Sequence, residues 1–169
     1  MRILGIDPAL KTTGYGIIDW DGRSFNPVAA GAVNTRYSQP LPQRLDTIYR
    51  EISGLIKKHH PDVMVLEKVF IHYHHPTTAF LLGQARGIIC LACAQGKIPL
   101  IEYAATHVKK AVVGRGQASK TQVQRMVASI LSLKELPKYE DTTDALALAI
   151  AYTYFIRANR IKLIAKGSL

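Results

Sequence analysis

The hydrophobic pattern of the chain changes its period near Pro42, and this change constrains the fold more than any other feature. Before that point three short apolar runs occur, at residues 2–6, 14–18 and 28–33. Their lengths predict strands, and Asp21-Gly22 favours a hairpin turn between the second run and the third. From Pro42 to His60 the apolar residues recur at helical spacing, and Pro61 follows this segment. The first part of the chain therefore predicts an antiparallel meander of three strands that leads into a helix.

The rest of the chain alternates between the two kinds of pattern. Strands are predicted at residues 63–66 and 99–102, and helices at 77–95, 106–113 and 141–156. Another helix follows Ser119, whose hydroxyl is suited to capping it. This order predicts an α/β fold with a mixed five-stranded sheet flanked by helices, which in order and length suits an RNase H-like domain. We assign residues 1–156 to that domain and residues 157–169 to a basic C-terminal tail, because 169 residues leave little room for a second core.

The net charge of +10 and the isoelectric point near 9.8 favour a polyanionic partner. Lysine and arginine dominate an acid-free stretch between Glu102 and Glu135 and the segment that follows Asp144. A solubilising surface is the alternative interpretation. No apolar run is expected to reach the roughly 18 residues that span a membrane, and the start of the chain does not resemble a signal peptide. We therefore expect a cytoplasmic protein with no membrane partner.

Five of the twelve acidic residues stand beside apolar structure, where ionised carboxylates are unfavourable unless they are paired or bound to metal. These five are Asp7, Glu67, Glu102, Asp141 and Asp144. The first three end predicted strands, and the last two are three residues apart at the start of a helix, so both project from one face. Spacing alone does not exclude any of the five. For Asp141 and Asp144 the alternative is helix capping and stabilisation of the helix dipole.

Carboxylates that converge without histidine or cysteine describe a site for a hard cation, and Mg²⁺ prefers oxygen ligands of this kind. Two such ions about 3.5–4 Å apart can activate water and stabilise the leaving oxygen in phosphodiester hydrolysis. Cys90 and Cys93 lie in an apolar run and are interpreted as buried helix residues. His72, His74 and His75 are interpreted as a polar, DNA-facing loop in preference to a zinc site.

Seven short motifs occur in an order and spacing that are highly specific when taken together. They are Leu4-Gly5-Ile6-Asp7-Pro8, Thr13-Gly14-Tyr15-Gly16, Glu67-Lys68-Val69-Phe70, Gly83-Gln84-Ala85-Arg86-Gly87, Val112-Val113-Gly114, Ser119-Lys120-Thr121-Gln122-Val123 and Asp144-Ala145-Leu146-Ala147. From Arg2 to about Ile156 the chain thereby resembles the RuvC family of Holliday-junction resolvases. The resemblance implies an RNase H-like fold, a homodimer, and paired symmetric nicks across a four-way DNA junction in recombination and repair. It also implies cooperation with the RuvAB branch-migration complex and products with a 5′-phosphate and a 3′-hydroxyl.

The same resemblance implies roles for particular residues. The catalytic acids and metal ligands fall on Asp7, Glu67, Asp141 and Asp144, which leaves out Glu102. They are expected to hold two Mg²⁺ ions per active site, for which Mn²⁺ can substitute. The basic residues expected on DNA are Lys109 and Lys120, of which Lys120 also acts in catalysis, and Lys110, Arg115 and Arg125 as backbone contacts. Phe70 is the aromatic residue expected to stack on opened bases.

One departure from the family pattern and two alternative functions stay open. Ala9 stands where the family usually has glycine, which adds strain if that position needs a positive φ angle. The alternatives are an RNase H-like nuclease that acts on RNA–DNA hybrids and a junction-binding module that no longer cuts. The complete acid set argues against the second. Actin-like sugar kinases also place Gly-Ile-Asp in a phosphate loop, but they need two such domains, and 169 residues cannot supply both.

Overall fold

The computed structural model of the chain describes residues 1–68 and 76–165, with side chains described up to residue 159. Phe70 and the three clustered histidines therefore lie outside the described residues. The strands are β1 (Arg2–Asp7), β2 (Thr12–Trp20), β3 (Phe25–Asn34), β4 (Val63–Glu67) and β5 (Leu100–Tyr103). The helices are α1 (Leu41–His59), α2 (Pro76–Gln95), α3 (Ala105–Val113), α4 (Lys120–Ile130) and α5 (Glu140–Ala165). Each strand and helix that the hydrophobic pattern predicts is present.

The strands form one mixed sheet in the order β3-β2-β1-β4-β5. β1 pairs antiparallel with β2, and β2 with β3, as the short connections of a meander allow. β1 and β4 pair in parallel, as do β4 and β5, because α1 and α2 lie in the long connections that parallel neighbours need. The predicted mixed five-stranded sheet flanked by helices is confirmed. Its parallel pairs place the C-terminal ends of β1 and β4 side by side.

Helices cover both faces of this sheet, so the central strands are apolar on both sides. Side chains alternate between the two faces along each strand. Ile3, Val63 and Val65 belong to a core formed with α3, α4 and α5. Leu4 and Leu66 belong to the opposite core, formed with α1 and α2. The position of a residue along its strand thus decides which helices its side chain meets.

The start of α5 lies directly on the backbones of β1 and β2. A Cβ atom added at Gly5 would lie 2.0 Å from the carbonyl oxygen of Ala145, and one at Gly14 would lie 2.0 Å from that of Asp141. These distances are far below van der Waals contact, so glycine is required for so close an approach. Because Gly14 pairs with Asp7, the approach brings the start of α5 to the C-terminal end of β1.

The last helix is longer than the hydrophobic pattern predicts. The pattern places its end at Ile156, but α5 continues to Ala165. Residues 157–165 contain no glycine or proline, and their arginine, lysine, leucine and alanine residues favour a helix. The helix therefore extends into the segment assigned above to a tail, and the domain boundary at residue 156 stays a prediction.

By length and composition alone, α2 could cross a membrane, which corrects the expectation that no apolar run reaches that size. Its mean hydropathy is 1.4, and 22% of the apolar window is buried. Ile89 and Cys93 of α2 are buried in the core formed with α1 and the sheet. Cys90 and Cys93 are both free thiols, and the Cys93 Sγ donates to the carbonyl oxygen of Ile98 at 3.2 Å. One side of α2 thus packs as a core helix, and Cys93 is buried there as interpreted, whereas Cys90 is only half-buried.

Candidate active site

The C-terminal ends of β1 and β4 place two carboxyl groups next to each other. Asp7 ends β1 and Glu67 ends β4, and the parallel register pairs Ile6 with Leu66 immediately before them. By the alternation of side chains, both carboxyl groups point to the face that α3, α4 and α5 cover. The two groups are close enough that the charge of Glu67 raises the pKa of Asp7. The two strand ends therefore meet as the sequence predicts.

α5 brings a third carboxyl group to the same place. Asp144 precedes Ala145, whose backbone contacts the sheet at Gly5. A cleft of about 300 Å³ opens between the strand ends and the three helices on this face. Its lining consists of Asp7, Glu67, Ala105, Val108, Lys109, Lys120, Val123, Asp144, Ala147 and Leu148. Three carboxyl groups and two ammonium groups thus share a cleft whose other walls are apolar.

Burial and mutual repulsion make the ionised carboxylates of this cleft unfavourable. The pKa of Asp7 is raised to about 8, mainly by burial and then by the charges of Glu67, Asp144 and Asp141, against a lowering effect of Lys120. Burial also raises the pKa of Glu67, and the charge of Asp144 adds to this effect. The pKa of Asp144 is raised by burial and lowered in part by Lys120. The two lysines compensate the negative charge incompletely, so a further cation would stabilise the ionised cluster.

The donor atoms of the cleft suit Mg²⁺. Among the residues that the structure describes, the lining carries carboxylate oxygens and contains no histidine or cysteine. Among residues 1–68 and 76–165, no group of three acidic, histidine or cysteine side chains is arranged so that it could hold a metal ion by itself. Mg²⁺ usually keeps several of its waters and binds proteins through one or two carboxylates. Asp7, Glu67 and Asp144 therefore fit a magnesium site whose remaining ligands are water and substrate oxygens.

Asp141 does not line the cleft, although its charge acts on carboxyl groups that do. The charge of Asp141 raises the pKa of both Asp7 and Asp144. α5 begins at Glu140, so Asp141 lies in the first helical turn, where its charge also favours the helix dipole. Its role as a metal ligand stays a prediction.

Glu102, the fifth acid beside apolar structure, lies on the opposite face of the sheet. The register pairs Glu102 with Leu66, whose side chain belongs to the core formed with α1 and α2. There the Glu102 carboxylate forms an ion pair with Arg86 of α2. Arg86 also donates a hydrogen bond of 2.6 Å to the carbonyl oxygen of Glu67. The structure thus separates Glu102 from the cleft, and Arg86 is a contact of the site that the sequence analysis did not find.

Lys120 approaches the cleft from the first position of α4. The helix begins with a capping box in which the Ser119 hydroxyl accepts from the Gln122 amide at 3.2 Å, which confirms the predicted cap. The Lys120 Nζ lies 3.2 Å from the Glu140 Oε2, and this hydrogen bond raises the pKa of Lys120. Glu140 is not one of the five acids that the sequence pattern singled out. The sequence signal that could have linked Glu140 to the cleft was its position next to Asp141.

The other basic residues assigned to DNA lie on the surface outside the cleft. Lys110, Arg115 and Arg125 are exposed, and none of them lines the cleft. Arg125 borders a shallow groove with Val113 and Met126. Their contacts with DNA stay predictions.

The turn after β1 accommodates Ala9 without the strain considered above. Positive φ angles outside glycine occur in the described chain at His60, Lys97 and Ser132, and Ala9 is not among them. The Thr13 hydroxyl donates to the Ala9 carbonyl oxygen at 2.6 Å and closes the turn. Alanine therefore fits this position, and Asp7 keeps its place at the end of β1.

The raised pKa of Asp7 predicts how stability depends on pH without metal. Between about pH 4 and pH 8 the folded protein keeps a proton on Asp7 that the unfolded chain releases, so the free energy of unfolding should fall as pH rises. Each unit of pKa difference corresponds to about 1.4 kcal/mol. We expect Asp7→Asn to be more stable than the native protein at pH 8 and nearly equal at pH 4, measured by urea unfolding in a chelating buffer.

The control for this measurement is Asp46→Asn, which removes a carboxylate that pairs with Arg50 on the surface of α1. This variant should keep the pH dependence of the native protein. A native stability that stays constant from pH 4 to pH 8, or a parallel curve for Asp7→Asn, contradicts the assignment of Asp7 as the perturbed group.

Comparison with known proteins finds relatives that match over most of the chain. The family model described as crossover junction endodeoxyribonuclease RuvC matches residues 3–152. RuvC of Brevibacillus brevis is 43% identical over 155 residues, which cover 92% of this chain and 93% of that protein. RuvC of Burkholderia thailandensis is 47% identical over 154 residues, which cover 91% of this chain and 84% of that protein.

A solved structure extends the comparison to the fold. Thermus thermophilus RuvC in complex with a Holliday junction substrate matches with a TM-score of 0.88 and 28% identity, covering 94% of this chain and 96% of that one. The fold is therefore the RNase H-like fold that the order of elements predicts. Because the family model spans most of the sequence and both relatives match over nearly the whole chain, the chain belongs to the RuvC family of crossover junction endodeoxyribonucleases.

Proposed function

We propose that the chain resolves four-way DNA junctions by hydrolysing a phosphodiester bond in each of two opposite strands, leaving a 5′-phosphate and a 3′-hydroxyl. The observation that carries this proposal is the cleft in which Asp7, Glu67 and Asp144 meet Lys109 and Lys120. Carboxylates that bind metal and cations that bind phosphate are the two parts that metal-dependent DNA cleavage needs. The Thermus relative, whose structure contains a Holliday junction, supports a junction as the substrate.

We assign four acids as ligands of two Mg²⁺ ions, for which Mn²⁺ can substitute. The four acids are Asp7, Glu67, Asp141 and Asp144. Bound Mg²⁺ supplies a water of lowered pKa and neutralises charge on the leaving oxygen. Asp7 must release its proton before it can act as a ligand, and Lys120 favours this ionised form. The apolar walls of the cleft lower the local dielectric constant around the carboxylates, which strengthens their electrostatic interactions.

Lys120 is placed to act on the reacting phosphate. It lines the cleft with Asp7, while its ion pair with Glu140 is exposed on both sides. Exposed ion pairs of this kind contribute only about 0–1 kcal/mol, so a phosphate oxygen can replace Glu140 at little cost. Lys120 then stabilises the charge that develops on the phosphate in the transition state. Lys109, on α3, holds a neighbouring phosphate.

Residues outside the cleft contribute to binding the arms of the junction. Lys110, Arg115 and Arg125 are exposed cations that can contact the DNA backbone. We assign Phe70 to stacking on bases that open at the crossover, an interaction worth about 1–3 kcal/mol per base. The net charge of +10 attracts DNA to the protein, and these contacts then position the DNA on its surface.

The active form is a homodimer, because a four-way junction offers two equivalent strands and each chain forms one such cleft. α2 is assigned to the contact between subunits. Its Phe80 and Leu91 side chains are 65% and 47% exposed on a helix that is apolar along most of its length. Exposed apolar surface of this kind marks a protein interface more often than a solvated face.

Family membership also supports a partner and a location. Resolution must follow the movement of the branch point, so we assign the RuvAB branch-migration complex as the partner. We assign a cytoplasmic location because a junction-cutting enzyme must reach the chromosome, which in bacteria lies in the cytoplasm.

The second candidate, cleavage of RNA–DNA hybrids, shares the fold and the metal chemistry. A panel of four-way junction, plain duplex and hybrid substrates with Mg²⁺ separates the two. Paired nicks at symmetric positions of the junction alone support the proposal, whereas preferred cleavage of the hybrid would transfer it to the second candidate.

The first prediction concerns the division of labour between acids and cations. Asp7→Asn and Asp144→Asn should each abolish junction cleavage while junction affinity is kept, because an amide binds Mg²⁺ poorly but leaves the cations in place. Glu102→Gln is the matched control and should keep substantial activity at saturating Mg²⁺, since Glu102 lies on the other face of the sheet and the amide oxygen of glutamine can still accept from Arg86. Gel assays of cleavage and binding measure both properties. A folded Glu102→Gln variant that is as inactive as Asp7→Asn at saturating Mg²⁺ would show that the acids are assigned wrongly.

The second prediction concerns Lys120. Lys120→Ala should lower the single-turnover cleavage rate far more than junction affinity, because many other cations share the work of binding. The slope of log affinity against log salt should flatten by only about one unit. Lys57→Ala removes an exposed lysine of α1, on the opposite face of the sheet, and should change neither quantity. Equal losses of rate and affinity in Lys120→Ala would place Lys120 among the binding residues.

The third prediction concerns assembly. Sedimentation should give a dimer for the native protein, and Phe80→Glu combined with Leu91→Glu should give a folded monomer, because buried charge opposes association. Leu136→Glu introduces the same charge at a side chain that is 53% exposed and lies outside α2, and it should stay dimeric. A native monomer, both free and on a junction, contradicts the proposal.

A further inference from the structure

Behind the cleft, on the α2 face of the sheet, one guanidinium group joins three elements. The Nη1 atom of Arg86 donates to the carbonyl oxygen of Glu67 at 2.6 Å, and the Nη2 atom pairs with the Glu102 carboxylate. The Arg86 side chain is 19% exposed and the Glu102 side chain 39%, so the guanidinium is largely buried while the carboxylate is partly open to water. Arg86 thus ties α2 to the ends of β4 and β5.

The bond to Glu67 is made where the ladder between strands has ended. The register of β1 with β4 finishes at Ile6 and Leu66, one residue before Glu67. On the other side of β4, the Lys68 amide donates to the Tyr103 carbonyl oxygen at 2.8 Å. The Glu67 carbonyl oxygen therefore lies beyond the last residue pair of the β1–β4 ladder, and the hydrogen-bond donor described for it is Arg86.

We infer that Arg86 is a positioning residue for Glu67, and that Glu102 is the anchor that holds the Arg86 guanidinium in place. The inference rests on the proposed metal role of the Glu67 carboxylate. A guanidinium is a rigid planar fork that fixes two acceptors relative to each other, and its charge strengthens both hydrogen bonds. Metal geometry tolerates displacements of only about 0.5 Å, so restraining the backbone at Glu67 restrains the ligand.

The chain provides a matched control for this arrangement at the opposite end of β1. Arg2 also bonds a carboxylate and a backbone carbonyl group, donating to Asp19 at 2.9 and 2.8 Å and to the His59 carbonyl oxygen at 2.8 Å. Loss of this bridge removes the same kinds of interaction far from the cleft. A comparison of Arg86→Met with Arg2→Met therefore separates an effect on the site from an effect on stability.

The experiment measures binding of Mn²⁺ to the full-length protein without DNA, by electron paramagnetic resonance of the free ion. Glu67→Gln serves as the reference for loss of a ligand. We expect Arg86→Met to bind Mn²⁺ about 10-fold more weakly than the native protein, the lower end of the effect of removing a residue that orients a metal ligand. Arg2→Met should bind Mn²⁺ with native affinity, and Arg86→Lys, which keeps one donor and the charge, should recover part of the loss.

Each outcome decides the inference. Native Mn²⁺ affinity in Arg86→Met, or an equal loss in Arg2→Met, overturns it. If Glu67→Gln itself binds Mn²⁺ normally, the metal role of Glu67 fails, and that failure is distinct from a failure of Arg86 alone. Should Arg86→Met not fold, Glu102→Ala removes only the anchor and should weaken Mn²⁺ binding in the same direction, and unchanged binding in that variant likewise overturns the inference.

Discussion

The close approach of α5 to the sheet determines the geometry of the whole site. Gly5 and Gly14 lack side chains where the backbone of α5 passes, and a single methyl group at either position would overlap a carbonyl oxygen of that helix. This contact places Asp144 over the end of β1 without a connecting loop. The acid therefore stands next to a fully buried stretch of helix, residues 145–151, which is the kind of rigid support that precise metal geometry needs.

The close placement of these acids has an energetic cost. Asp7 and Asp144 are brought together in a largely buried cleft, where burial and mutual repulsion disfavour the ionised forms that bind a cation. The apolar cores on the two faces offset that cost with buried aliphatic side chains. Groups with strongly perturbed pKa values beside a cleft are common at functional sites, because the same burial that destabilises the free carboxylates strengthens their interaction with a bound cation.

The sequence alone predicted the strand ends that carry Asp7 and Glu67, because hydrophobic runs that stop at an acid locate such ends well. It could not separate Glu102 from them, because the face on which a strand residue lies depends on the register between strands. A register in which Glu67 pairs with Tyr103 puts Glu102 on the far side of the sheet. The pair of Lys120 with Glu140 likewise depends on how α4 meets α5, which no local pattern encodes.

The two faces of the sheet contribute to the site in different ways because backbone and side chain point in different directions. At the end of β4 the Glu67 side chain turns towards α5, whereas its carbonyl group lies near the plane of the sheet. A helix on the opposite face can therefore hold that residue through its backbone without entering the cleft, and Arg86 of α2 does so. The cleft stays open for a substrate, while the restraint on one of its carboxylates comes from behind. Glu102, although excluded from the cleft, contributes to the site through the guanidinium group that it orients.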